Sequence, residues 1–126
     1  MRRGFTLLEL VVVVIILGIL ATLGFTQYTK MVERGRTAEA KMILGQIRTA
    51  QTAYTQQYGG YTTDIASLAV EAPTVCTAAT HYFTYAVSAT IGTATRCTVG
   101  KTPTGSAYTI TLNYGTGAFG GSAGYY

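Results

Sequence analysis

Glu9 is the residue whose position most needs a chemical explanation. It is the single charge in the run FTLLELVVVVIILGILATLGFTQYT, from Phe5 to Thr29. A carboxylate carried by an apolar helix into a bilayer is costly unless it finds a cation or lies near the headgroups. Its two readings are therefore an ion pair with a specific partner and a shallow side chain snorkelling to the interface. The other residues with chemistry are few. Cys76 and Cys97 make an even count, and a disulfide is expected if this part of the chain is exported. No Cys-x-x-Cys is present, which argues against a redox-active pair. His81 is the single histidine, and no acidic residue follows Glu71. Metal and triad chemistry both need such partners, so no metal, no cofactor and no catalytic site are expected, and His81 reads as a strand-edge residue. GTGAFGG, residues 115 to 121, has the Gly-x-Gly-x-x-Gly spacing but no helix following it before Tyr126. Without a helix N-terminus the phosphate-binding mechanism is lost. The ten tyrosines and four phenylalanines could suggest aromatic stacking for electron transport, but they suit a sheet-on-helix core as well.

These residues need elements to position them. Hydrophobic residues make up 48% of the 126 and charged residues 11%, and much of the apolar excess sits in the one N-terminal run. At 1.5 Å per residue that run is long enough to cross a bilayer. Its valines and isoleucines suit a strand, but an isolated strand has no stable form in lipid, so a helix is expected. The run is too long for an ordinary signal peptide, and Ala21-Thr22-Leu23 is no small-x-small cleavage site. Arg2 and Arg3 would hold the N-terminus in the cytoplasm, with the rest of the chain outside. The net charge is +4, falling to +2 without those two arginines, a weak basic balance that makes no case for nucleic acid. Arg96 and Lys101 alone would have to carry a DNA contact.

Charges begin at Lys30, and no proline interrupts residues 1 to 72. Ala40, Ile43, Ile47, Ala50 and Tyr54 recur at spacings of three and four, one helical face, and Arg36 and Glu39 can pair on the wet side. One helix is expected from about Phe5 to about Tyr58, apolar all round at first and amphipathic afterwards. Gly59-Gly60 ends it. A connector follows to residue 80, with one helical turn over Asp64 to Leu68 capped by Thr63. The period then changes to two. Tyr82 to Thr90, Thr93 to Val99 and Ser106 to Tyr114 are expected as antiparallel strands, with turns at Ile91-Gly92 and at Lys101 to Gly105. Tyr108, Ile110, Leu112 and Tyr114 give the last strand an apolar face, and the stripe from Ala40 to Tyr54 is its natural cover. Residues 115 to 126 leave open a fourth edge strand or a disordered tail. The fold class is therefore α+β: a long N-terminal helix on a small antiparallel sheet of three to four strands.

The start, MRRGFTLLELVVVVIILGIL, resembles the leader and helix of type IV prepilins and of the related type II secretion pseudopilins. The match rests on a basic leader, a glycine, a phenylalanine, a glutamate four residues on, and an unbroken apolar run. AQTAYTQQYGGYTTDIASL, residues 50 to 68, is similar to pilin sequence at the end of the long helix. The resemblance implies a leader of residues 1–4, an apolar membrane and filament-core helix over 5–29, an amphipathic half over 30–58, a connector over 59–80, and a sheet with its glycine-rich tail over 81–126. It further implies that a prepilin peptidase cuts between Gly4 and Phe5 and methylates the new Phe5 amine, and that Glu9 then meets the Phe5 amine of a neighbouring copy. The implied partners are further copies in a helical filament, an inner-membrane assembly platform and separate ATPases. The precursor would be a single-pass inner-membrane protein and the assembled form an extracellular pilus, serving twitching motility, adhesion or DNA uptake. A secretion pseudopilin, and a minor pilin that binds DNA or surfaces at a filament tip, are the alternatives. The lack of acids after Glu71 argues against the calcium site of major pseudopilins and tilts the reading to pilin. Most of the family carries a proline where this chain has Thr26, so a proline kink is not expected here, while Gly18 and Gly24 each weaken the helix by about 1 kcal/mol relative to alanine.

Overall fold

The computed structural model describes residues 4–77, 81–101 and 106–125. Helix α1 runs from Leu7 to Tyr58, two residues shorter at its start than expected. It ends at Gly59, whose φ of 81° no side chain adopts comfortably and whose N–H donates to the Thr55 carbonyl at 2.8 Å. The chain divides into two units between Glu33 and Arg34. In the first, the large apolar side chains from Phe5 to Met31 are exposed on every side of the helix. The helix continues through Gly18, Gly24 and Thr26.

The second unit holds the core. Thr37, Ala40, Leu44, Ile47 and Gln51 are the buried positions of α1, alternating by three and four. The expected stripe straddles this seam: Ala40 and Ile47 lie in it, Ile43, Ala50 and Tyr54 form its partly buried flank, and Tyr58 is exposed. The seam runs through Gln51, which a purely apolar pattern passes over. Both ends of the Gln51 amide are used on one residue: Nε2 donates to the Thr62 carbonyl at 2.7 Å and Oε1 accepts the Thr62 N–H at 3.0 Å. That pair ties the connector to the helix. The helical turn in the connector is a 3-10 turn, Ile65–Ser67, and its cap is Asp64, not Thr63. Asp64 has the carboxylate that the Ala66 N–H and the Ser67 hydroxyl both need.

The sheet contains β1 (Phe83–Val87), β2 (Ile91–Arg96), β3 (Thr109–Asn113) and β4 (Phe119–Gly121), in the order β1-β2-β3-β4 and antiparallel throughout. Phe83, Tyr85, Ala94, Ile110 and Leu112 point inward and join Ala40, Leu44, Ile47 and Leu68 in one cluster. Thr84, Thr93, Thr95, Thr109 and Thr111 alternate with them and are half-buried, as expected where one face is packed and one is wet. The tail does form the fourth strand. Ile91-Gly92 is not a turn but the start of β2; the reversal comes at Ser88 to Thr90, where the Ser88 hydroxyl and the Ile91 backbone bond to each other. At Gly92 the helix comes close enough that any side chain would have to push Leu44 aside by a few tenths of an ångström. A Cβ there would stand 3.2 Å from Leu44 Cδ2. Most of the expected turn at Lys101 to Gly105 lies outside the described residues. Arg36 lies over the Tyr82 ring, 4.0 Å from its centroid.

Cys76 and Cys97 are joined, Cα to Cα 5.7 Å apart, which staples the connector to the end of β2. Closing a loop of 21 residues contributes about 3 kcal/mol in the chain-entropy picture. Unfolded, non-reduced protein should show no free thiol on titration, and reduction should lower unfolding stability by about that amount.

Two core tyrosines make the fold sensitive to alkali. Burial pushes the Tyr85 phenol well above its ordinary value of 10, and the Glu39 carboxylate adds to the effect. Burial raises Tyr114 as well, against smaller opposing effects of Gln51 and Ser88. A hydroxyl that ionises less readily in the folded state contributes stability that is complete below the unfolded pKa and is lost as pH climbs past it. Stability should therefore hold to about pH 10 and fall beyond it. Tyr85→Phe should flatten that fall when denaturant unfolding is compared at about pH 8 and about pH 11.

Candidate processing and assembly site

Gly4, Phe5 and Thr6 precede the first helical residue and are exposed. No atom beyond its chain neighbours lies within 4 Å of where a Gly4 side chain would be. The Gly4–Phe5 peptide bond is thus exposed and outside the helical hydrogen-bond ladder.

Thr6 begins the helix as its cap. The Glu9 N–H donates to Thr6 Oγ1 at 3.3 Å, while Glu9 Oε2 accepts the Thr6 N–H at 2.8 Å and the Thr6 hydroxyl at 2.9 Å. This is a capping box, in which cap and third helical residue satisfy each other's orphan donors. The Thr6-x-x-Glu9 spacing before an apolar run carried that signal, and the sequence reading, intent on Glu9 as a charge, passed it over. The arrangement uses one carboxylate oxygen. Oε1 accepts no hydrogen bond among the described residues, so half of Glu9 is presented outward by a side chain already fixed by the other half. The helix N-terminus also favours the negative charge there.

Behind this cap the helix is suited to lipid. By length and composition α1 is able to cross a membrane. The hydroxyls it carries are satisfied internally: Thr22 donates to the Gly18 carbonyl, Thr26 to Leu23 and Thr29 to Thr26, all within 3.0 Å. Polar groups so bonded make no demand on the bilayer.

The remaining candidates lie elsewhere. Cys97 is buried and Cys76 exposed, both committed to the disulfide. His81 stands just before β1, its Nε2 donating to the Val75 carbonyl at 2.7 Å. No group of His, Cys, Asp and Glu among the described residues is arranged to hold a metal. GTGAFGG forms the β3–β4 turn and runs into β4: the Gly117 N–H donates to Asn113 at 2.9 Å and the Asn113 N–H to Ala118 at 3.0 Å. Arg96 and Lys101 are not surface cations. They are 5% and 6% exposed and pack against Tyr82, 5.2 and 4.9 Å from its ring centroid. That burial removes the basis for a DNA contact through them.

Residues 1–25 match the prokaryotic N-terminal methylation motif. Over its N-terminal part the chain is similar to type IV pilin and fimbrial subunits. It is 40% identical over 60 residues to the type IV major pilin protein PilA of Myxococcus xanthus, covering 48% of this chain and 27% of that one. It is 42% identical over 50 residues to the type IV major fimbrial protein FimA of Dichelobacter nodosus, covering 40% and 32%. With the type IV major pilin protein PilE1 of Neisseria gonorrhoeae it shares 32% identity over 73 residues, covering 58% and 44%. The chain thus spans less than half the length of these curated relatives. The motif and the apolar helix fit a membrane-anchored precursor and an extracellular pilus.

The capping box can be tested directly. Thr6→Ala removes the cap and should cost about 1 kcal/mol at the first turn. Hydrogen exchange of the micelle-bound chain should then show the amides of Leu8 and Glu9 exchanging about fivefold faster, with those beyond Val13 unchanged.

Proposed function

We propose that this chain is a structural, non-catalytic subunit of a type IV pilus-like extracellular filament. It is stored in the inner membrane and assembled after its leader is cut between Gly4 and Phe5. The observation that carries the reading is the head of α1: an accessible Gly4–Phe5 bond, then a glutamate fixed by its own helix with one oxygen to spare. Arg2 and Arg3 keep the uncut end cytoplasmic. While the subunit is stored, the capping box lowers the cost of Glu9 in an apolar setting. Cleavage creates an ammonium at Phe5, which a prepilin peptidase then methylates. In the filament the Phe5 ammonium of one copy meets Glu9 Oε1 of the next, and two charges are neutralised at once. An assembly platform in the inner membrane lifts each copy from lipid to filament, and the helices from Phe5 to Thr29 exchange lipid for one another. The names of the relatives, all pilus or fimbrial subunits, support this over a secretion pseudopilin. Motility, adhesion and DNA uptake are the roles such a filament serves.

N-terminal mass spectrometry of the surface protein should find Phe5 first, its amine methylated; an intact leader on extracellular protein contradicts the reading. Glu9→Leu should insert and be processed normally yet reduce sheared surface filaments by at least about tenfold, since breaking a buried pair from one side is strongly unfavourable. Normal filament yield from Glu9→Leu would make Glu9 a bystander.

A further inference from the structure

Arg48 is held in place by two neighbours that use only part of its guanidinium. Nε donates to the Tyr114 carbonyl at 2.8 Å. The group also lies so close to Gly117, at φ 71°, that a Cβ there would come within 2.9 Å of Nη1 and 3.0 Å of Cζ. Nη1 and Nη2 have no hydrogen-bond partner among the described residues. They open on a groove of about 570 Å³ beside α1, lined by Gly45, Thr52 and Gln56 of the helix and by Leu112 and Phe119 of the sheet. The Thr49 and Thr52 hydroxyls donate back to helix carbonyls, so Arg48 and the Gln56 amide are its donors. No carboxylate lines it. A fixed guanidinium with both amino groups open is arranged for bidentate recognition of a carboxylate, and the apolar floor suits a short apolar segment around that carboxylate.

The chain's own acids supply one that fits. Glu9 is in the capping box and Asp64 caps the 3-10 turn. Glu33 has a partner, and Glu39 acts on Tyr85. Glu71 is exposed, makes no hydrogen bond among the described residues, and sits in an irregular stretch between Val70, Ala72 and Pro73. That stretch is anchored, because the Pro73 carbonyl accepts the Tyr85 N–H at 2.8 Å. We propose that Arg48 of one copy receives the exposed Glu71 of a second copy, whose carboxylate enters the groove beside Phe119. The pairing rests on the filament reading above. It is a heterologous contact, using two different patches of one subunit, and such contacts propagate as open helical assemblies when they do not close into rings.

Sheared surface filaments from cells expressing the full chain test it. Glu71→Arg alters an exposed side chain, so precursor level and disulfide formation should stay normal while filament yield drops by at least about tenfold. Arg48→Glu should do the same, and the double variant should recover to within about twofold of the original. In a second, charge-neutral cycle, Arg48→Gln with Glu71→Gln should lose no more than either alone; additive losses overturn the pair, whether or not Arg48→Glu folds. Normal filaments from Glu71→Arg overturn it, as does rescue of Arg48→Glu by Glu39→Arg in place of Glu71→Arg. Failure of the unaltered chain to form filaments would sink the proposed function itself, whereas abundant filaments indifferent to these charges would sink only the pair.

Discussion

A backbone in lipid must satisfy its own hydrogen bonds, and that constraint shapes this chain from the first helical residue. It makes α1 a helix despite a valine- and isoleucine-rich sequence that would suit a strand in water. The hydroxyls of Thr22, Thr26 and Thr29 are compatible with it, since each turns back to a carbonyl of its own helix, as those of Thr49 and Thr52 do further along. It also explains why the one charge of the run is placed where the helix begins and has orphan N–H groups to offer. The same helix then changes solvent. From Thr37 onward its buried positions fall on a single seam, because water on the other face makes one-sided burial the stable arrangement.

The small sheet depends on that seam. Four short strands have one apolar face, and such a sheet needs a cover before it is stable on its own. Leu44 and Ile47 supply it, fully buried against Ile110 and Leu112. The approach is close where α1 passes Gly92 of β2. Polar fastenings hold the rest. Gln51 clamps Thr62, Arg48 reaches the Tyr114 carbonyl, and the disulfide joins the connector to the end of β2. Each links segments remote in sequence.

The broad architecture was legible because it rests on periodicity. The long helix, its end at Tyr58, the alternation in β3 and the inward set Tyr108, Ile110, Leu112 and Tyr114 all follow from spacing alone. What was illegible depended on distances between parts remote in sequence. Gly92 reads as a turn until Leu44 is known to lie above it. Gln51 reads as a surface residue until Thr62 is brought beside its amide. Arg96 and Lys101 read as an exposed basic pair, and nothing local says that Tyr82 will shield them. Asp64 and Thr63 are both good caps, and only the backbone's path chooses between them. At the head of the helix the opposite happened. The Thr6-x-x-Glu9 signal is entirely local, but the charge of Glu9 in an apolar run hides its second use as half of a helix cap.

That local bond changes how the charge at Glu9 is understood. A bare carboxylate in an apolar run would be a liability during storage and an asset only in the filament. A carboxylate that also caps its own helix is tolerable in both settings, because its first two hydrogen bonds, from the Thr6 N–H and hydroxyl, are intramolecular. Its second oxygen is then oriented before any partner arrives, which would lower the ordering cost of the proposed contact between copies. The run from Val11 to Leu17 offers almost nothing that distinguishes one axial offset from another. A fixed, directional group at the helix head does. Register in a bundle of near-featureless helices is best set where polar groups are fewest and most rigid, and the proposed contact at the Thr6–Glu9 capping box would supply both conditions.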